Sequence, residues 1–91
     1  MTLREQFAEI RKIFSTEEKE PELKKLAVQA AARGNCDLLV EILESLYWHE
    51  SQREMILKVY ETVGKNCVRR LLNDFAQSLY QADKEKLRRR L

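Results

Sequence analysis

His49, Cys36 and Cys67 carry the side chains of this sequence that most often take part in catalysis or metal binding. His49 is the only histidine, and no serine or cysteine is placed by sequence to act as its nucleophile. The two cysteines lie far apart in the chain, without a CxxC motif, which gives a zinc site little support. We therefore interpret His49 as a surface residue at a helix junction. The cysteines are interpreted as buried free thiols in a reducing compartment.

The motifs of the common enzyme and nucleotide-binding classes are missing from the sequence. It contains no GxGxxG, no GxxxxGKS and no HExxH. The acidic run from Glu17 to Glu22 does not follow the spacing of a calcium-binding loop, and a solvated helix start explains it. We predict that the protein is not an enzyme and that it uses no metal, cofactor or small-molecule substrate.

Basic residues are the next candidates for a binding function. Lys65, Arg69, Arg70 and the tail from Lys84 to Arg90 are chemically suited to contact phosphates. The formal net charge is only +2, and the sequence shows no recognition helix rich in base-reading side chains. Nucleic-acid binding is therefore kept only as an alternative to protein binding.

Length and composition indicate one small helical domain. The chain has 91 residues, of which 44% are hydrophobic and 35% charged, with two glycines and one proline. Good helix formers dominate, and no apolar run approaches the roughly 20 residues of a membrane span. The N-terminus has no apolar signal core, so we expect a cytoplasmic protein without a membrane segment.

The stretch Cys36–Phe75 is predicted to form three consecutive amphipathic helices that make the core. Apolar residues recur in it at the three- and four-residue spacing of one helical face. Ser51 and Glu54 form a capping-box pattern before the second of these helices. Gly64 is predicted to stop that helix, and Asn66 is a possible cap for the next, which is expected to continue to about Tyr80.

Two helices are predicted before this stretch and a short one after it. The first runs from Leu3 to Phe14, followed by a second capping box at Ser15. The second helix begins either near Thr16 or at Pro21, and Gly34 with Asn35 ends it and caps the next. Asp83 is a possible cap for a last helix covering 84–91. We predict a single helical bundle domain over residues 1–82, with a basic C-terminal short helix or tail over 83–91.

An internal similarity points to a repeat. Leu38–Tyr47 and Leu71–Tyr80 share about half of their residues at an offset of 33. This spacing is typical of ankyrin-like and other αα-repeats, in which helix pairs stack. Stacked parallel helix pairs would establish the repeat, and unrelated helix directions would remove it. Trp48, at the end of the first segment, is interpreted either as an anchor for a partner or as the edge of the core.

The order and spacing of the predicted helices resemble a death effector domain, a branch of the death-fold superfamily. The sequences LREQFAEIRKIF and ELKKL match the first helix and the start of the second helix of that family in pattern. The resemblance implies a module without an active site, which binds other death folds through charged patches and polymerises in apoptotic or inflammatory signalling.

Two family positions differ in this chain. The charged Arg-x-Asp-Leu signature falls on residues 65–68, where only the basic position remains, as Lys65. The exposed aromatic of the second helix, which docks partners in the family, falls on Lys25. By this resemblance, an acidic set at the start of the second helix faces a basic set of a neighbouring molecule. The predicted partner-binding residues are Glu18, Glu22, Lys25, Lys65, Arg69 and Arg70, with Glu17 and Glu20 beside the acids.

The sequence thus predicts an all-α fold, a compact antiparallel bundle of five or six helices that is death-fold-like. The predicted function is non-enzymatic protein–protein interaction, with another copy or another death-fold domain as the partner. The alternatives are an ankyrin-like scaffold that binds a protein, and a small helical nucleic-acid-binding regulator.

Overall fold

The computed structural model describes residues 1–46, 48–63 and 66–89, and the described part of the chain is entirely helical outside its turns. It confirms the predicted all-α bundle. The elements are α1 (Leu3–Arg11), α2 (Thr16–Ala32), α3 (Cys36–Glu44), α4 (His49–Val63), α5 (Val68–Asp74), a 3₁₀ turn (Ala76–Ser78) and α6 (Gln81–Arg88). The predicted helix stop at Gly64 and the binding residue Lys65 lie outside the described residues.

Several predicted boundaries are confirmed by local hydrogen bonding. Gly34 has φ of +70°, which suits a residue that ends α2. The side chain of Asn35 accepts a hydrogen bond from the backbone N–H of Leu38, at 3.3 Å, and caps α3. Helix α2 begins at Thr16, so Pro21 lies inside it and removes one backbone donor about a turn and a half from the start.

Other predicted boundaries are wrong, because side chains chosen as local caps have long-range partners. Ser51 lies inside α4, and its hydroxyl donates to Glu20 at 3.0 Å. The side-chain amide of Asn66 donates to the carbonyl of Ala31 at 3.2 Å. The residue before α5 is instead Cys67, in the left-handed region at φ of 64°. Ser15 precedes α2 as predicted, but its side chain makes no capping hydrogen bond.

The ends of the first and last predicted helices also differ. Helix α1 stops at Arg11, which leaves Phe14 outside it and fully exposed, at 104% relative accessibility. Helix α5 stops at Asp74, and the 3₁₀ turn replaces its expected continuation to Tyr80. Helix α6 begins at Gln81, before Asp83, so Asp83 is a residue of its first turn and not its cap.

Helices α3 and α5 lie side by side and run in the same direction. A disulfide joins Cys36 to Cys67 where the two helices begin. Toward the other end, the side chain of Gln52 donates to the carbonyl of Leu43 at 3.1 Å and accepts from the hydroxyl of Ser78 at 2.6 Å. Because both pairs of ends are neighbours, the two helices are parallel.

Helices α2, α4 and α6 form a second parallel set. The first two turns of α2 and the start of α4 meet through Glu20 and Ser51. Asn66, three residues after α4 ends, donates to Ala31 at the far end of α2. Helix α6 follows α4 in the same direction, since an ion pair joins its start to the start of α4 and the hydroxyl of Tyr60 reaches the carbonyl of Lys86 at 3.4 Å. Helix α1 lies beside α3, with Arg4 paired to Glu41 at 2.8 Å.

The chain therefore stacks three helical hairpins, α1–α2, α3–α4 and α5–α6. Helix α3 begins 33 residues after α1, and α5 begins 32 residues after α3. The same two intervals separate the starts of α2, α4 and α6. The three loops inside the hairpins lie at one end of the stack, which we call the tip end, and the loops between hairpins lie at the other, the base end.

The internal similarity of the sequence occupies equivalent places in this stack. Three of its apolar positions are buried in both copies, and they pair as Leu38 with Leu71, Ile42 with Phe75 and Leu46 with Leu79. The core between the two helix sets also contains Leu3, Phe7, Leu23, Leu26, Ala27, Ala30, Ala31, Met55, Ile56, Val59 and Leu87. The small alanines of α2 permit close approach of its neighbours, which makes α2 the central helix.

Candidate protein-interaction surfaces

The acidic residues predicted to bind a partner lie at the tip end, on the first turns of α2. Glu17 and Glu18 are exposed and make no ion pair with the described residues. Glu20 accepts the hydrogen bond from Ser51, and Glu22 lies 3.8 Å from the ammonium of Lys25. The free acidic surface on α2 is therefore smaller than predicted, because intramolecular contacts use part of it.

Of the basic residues predicted to face those acids, Arg69 and Arg70 lie at the base end. Arg69 is exposed on α5. Arg70 donates to Asp37 at 2.7 Å and to Asp74 at 2.8 Å, and these hydrogen bonds, chiefly the one to Asp37, raise the pKa of Arg70. Two carboxylates thus pair with the guanidinium of Arg70. Arg69, in contrast, makes no ion pair with the described residues.

A basic groove at the base end includes an arginine that sequence reasoning did not single out. It has a volume of about 820 Å³ and is lined by Cys36, Cys67, Arg69, Arg70, Leu72, Asn73 and Arg88. Arg88 comes from the end of α6, which runs back to the base end beside α4. The basic tail of the sequence indicated that such a groove was possible. The position of Arg88 in it, however, depends on the direction of α6.

The distance between the acidic and basic residues follows from α2. This helix has 17 residues, and at 1.5 Å per residue it is about 25 Å long. Glu17 and Glu18 occupy its first turn, whereas its last turn contacts Asn66, just before Cys67 and Arg69. The two predicted binding sets are therefore at opposite ends of the molecule.

Lys25 lines a different surface, a groove between α2 and α4. This groove has a volume of about 650 Å³ and is lined by Lys24, Lys25, Val28, Gln29, Glu54, Met55 and Lys58. Its floor is apolar, and an ion pair of 3.8 Å between Lys24 and Glu54 crosses it. Lys25 does not lie with the basic residues at the base end.

The cysteines do not match their prediction. Cys36 and Cys67 form a disulfide, so the prediction of free thiols is wrong. No sequence motif pairs them, because their contact depends on the parallel course of α3 and α5. The reducing compartment that was inferred together with the free thiols therefore loses that support.

An ion pair between α4 and α6 fixes the third hairpin against the second. The guanidinium of Arg53 donates to Asp83 at 2.7 and 3.1 Å, and the backbone N–H of Tyr80 donates to the same carboxylate at 3.0 Å. The hydrogen bond from Arg53 is the main reason that the pKa of Asp83 is lowered. Asp83 acts here as a structural anion in the contact between two hairpins.

Neither a membrane span nor a metal cluster is found in the described residues. No helix there combines the length and apolarity that crossing a bilayer requires. No group of three or more histidine, cysteine, aspartate or glutamate side chains gathers within residues 1–46, 48–63 and 66–89. His49 is exposed as the first residue of α4.

Three exposed aromatic residues were not predicted as a set. Phe14, Trp48 and Tyr80 are 104%, 58% and 68% accessible, and one lies in or beside the loop of each hairpin. Phe14 is predicted as the last residue of the first helix, and Trp48 as either the edge of the core or an anchor for a partner. Their spacing of 34 and 32 residues was visible in the sequence. It matches the spacing of the three hairpin loops, which is known only from the structure.

Comparisons with protein-family models, with curated proteins and with solved structures found no match for this chain.

Proposed function

We propose that this protein is a non-enzymatic protein–protein interaction module, which binds further copies of itself through its two oppositely charged ends. The observation that carries the proposal is the separation of free acidic and free basic side chains to opposite ends of α2. A contact between such ends is heterologous, because different surfaces meet. Each added copy leaves one acidic and one basic end free, so the contact propagates into open chains.

Exposed groups without an ion pair among the described residues give each end its charge. At the tip end these are Glu17, Glu18, Glu44 and Glu50. At the base end the arginines Arg33, Arg69, Arg88 and Arg89 outnumber the acids Glu5 and Glu61. Two cations near the tip end have partners, since Lys12 pairs with Glu9 at 3.1 Å and Arg11 lies over the ring of Phe7. The ends therefore remain complementary after intramolecular pairing.

Two structural forms of this function stand as proposals. The death effector domain resemblance implies an adaptor in apoptotic or inflammatory signalling, with another death fold as the partner. The parallel course of α3 and α5 instead favours a scaffold of stacked αα-repeats, because stacking places equivalent helices side by side. Both forms act by contact between proteins, and the helix directions support the second.

Light scattering of the unmodified protein at different salt concentrations tests the proposal. Exposed ion pairs are screened, so the average mass should exceed that of one chain at about 20 mM NaCl and fall toward it at about 500 mM. Glu18→Lys should reduce the low-salt mass. Glu85→Lys is a matched control, because Glu85 is exposed on α6 and the substitution changes the net charge equally. A single-chain mass at every salt and protein concentration would overturn the proposal.

A further inference from the structure

The tip end has an aromatic row, which we define as Phe14, Trp48 and Tyr80. The loops that hold these residues are neighbours, because the hairpins stack in the order of the chain. His49 and Tyr80 line one small pocket with Glu50 and Arg53, which places the second and third loops together. Packed helices lie 8–10 Å apart, so the row spans roughly 20 Å.

The side chains of this row are largely exposed to solvent. Phe14 has no burial at all, and Trp48 and Tyr80 keep more than half of their accessible surface. Contiguous exposed apolar surface commonly marks a binding site, and tryptophan and tyrosine are enriched among the residues that dominate binding energy. The remaining exposed large hydrophobic residue of the described chain, Met1, lies at the base end.

The charges beside the row indicate the chemistry of its partner. Glu17, Glu18 and Glu50 are exposed near the aromatic side chains and make no ion pair with described residues. One ring already binds a cation, since the guanidinium of Arg53 lies 4.7 Å from the ring centroid of Tyr80. Aromatic faces with carboxylates around them suit arginine, whose planar cation stacks on rings and donates to carboxylates at the same time.

We propose that the aromatic row binds arginine side chains of a second copy, those of Arg69, Arg88 and Arg89 at its base end. This inference rests on the proposed function and adds to it the groups that hold the contact together. The tip end provides rings and carboxylates, and the base end provides guanidinium groups that have no ion pair among the described residues. Charge pairs set the orientation of the two copies, and stacking on the rings makes the larger contribution to affinity.

A peptide with the sequence of residues 82–91 tests the row under conditions where the full-length chain is a single molecule. Trp48 is the only tryptophan, so its fluorescence reports on the row directly. We expect a saturable change in emission with the peptide. A peptide in which glutamine replaces each arginine should bind at least tenfold more weakly. Equal binding of both peptides would overturn the assignment to arginine and indicate an apolar partner instead.

Substitutions in the row give the second part of the test. Phe14→Ala and Tyr80→Ala should each weaken peptide binding about two- to fivefold, the size expected for an exposed cation–π contact. Tyr80→Phe keeps the ring and should bind as the unmodified chain does. Far-UV circular dichroism and urea titration establish that each variant is folded. Unchanged affinity in the two alanine variants would overturn the role of the row.

The two proposals fail in different ways. If the chain assembles in low salt and the alanine variants assemble equally well, the aromatic row is excluded and the proposed function stands. If the chain never assembles, the proposed function is excluded, and the peptide titration alone decides whether the row binds arginine. A shift of Trp48 emission with phosphatidylcholine vesicles but not with the peptide would make the row a membrane-facing surface and overturn the inference.

Discussion

The disulfide between Cys36 and Cys67 joins the first residue of α3 to the residue that precedes α5. It therefore connects the second hairpin to the third at the base end, where no backbone hydrogen bond among the described residues links the two helix starts. The same bond forms part of the groove that contains Arg69 and Arg88. One covalent link thus joins the second hairpin to the third and lies in the wall of the basic groove.

Removing this link should lower the free energy of unfolding by about 3.7 kcal/mol, because the closed loop has a sequence separation of 31 residues. The Cys36→Ser/Cys67→Ser variant should show this loss in urea unfolding followed by circular dichroism. Reduction of the unmodified protein should reproduce it, and a thiol assay of the unreduced, denatured protein should find no free thiol. Two free thiols per chain in that assay would contradict the structure.

Gln52 connects the tip-side ends of α3 and the 3₁₀ turn. Its removal should therefore lower the free energy of unfolding by more than is usual for a half-buried polar residue. Gln52→Ala deletes one donated and one accepted hydrogen bond and leaves the carbonyl of Leu43 without this donor. We expect a loss of about 1–2 kcal/mol in the free energy of unfolding. Gln29→Ala, at an exposed position of α2, is the control and should change stability by less than about 0.5 kcal/mol.

The Arg53–Asp83 pair predicts a defined dependence of stability on pH. The folded-state pKa of Asp83 is lowered, so its contribution is complete above the unfolded value of about 3.9 and is lost as the pH falls through the folded value. Asp83→Asn should lower the urea midpoint at pH 7 and flatten its decline below pH 4. Glu85→Gln, an exposed neighbour on α6, should do neither. An unchanged acid profile for Asp83→Asn would exclude this role.

Phe7 and Phe14 test where the first helix ends. Phe7 is 5% accessible and belongs to the core, whereas Phe14 is fully exposed. Phe7→Ala should lose about 3–5 kcal/mol of stability, and Phe14→Ala should stay within about 0.5 kcal/mol of the unmodified protein. Comparable losses in both variants would mean that Phe14 packs against the core and that the aromatic row is not free to bind.

The sequence was sufficient for features that depend on neighbouring residues. Gly34 and Asn35 predicted a helix stop and a cap because both act within one turn, and the apolar spacing of α3 and α4 predicted their buried faces. Ser51 and Asn66 had the same local pattern but bind partners 31 and 35 residues away, at Glu20 and Ala31. A capping pattern considers only residues within one helical turn, so it cannot predict partners that are this far away in the chain.

The candidate surfaces were predictable only in part, and for the same reason. Glu18 and Arg69 are exposed as their sequence context predicts. The neutralisation of Arg70 depends on Asp37, which lies 33 residues earlier and becomes a neighbour only because α3 and α5 are parallel. The grouping of Phe14, Trp48 and Tyr80 likewise requires three hairpins that point the same way. The spacing of apolar residues predicts which face of a helix is buried, but it does not predict the direction in which the helix runs in the fold.

Mixing two charge-reversed variants tests most directly whether opposite ends of the molecule bind each other. Glu17→Lys/Glu18→Lys/Glu50→Lys makes both ends basic, and Arg69→Glu/Arg88→Glu/Arg89→Glu makes both ends acidic. Each variant alone should sediment as a single chain at low salt, and an equimolar mixture should assemble again, because every acidic end then meets a basic one. A mixture that stays monomeric, while the unmodified protein assembles under the same conditions, would contradict the account.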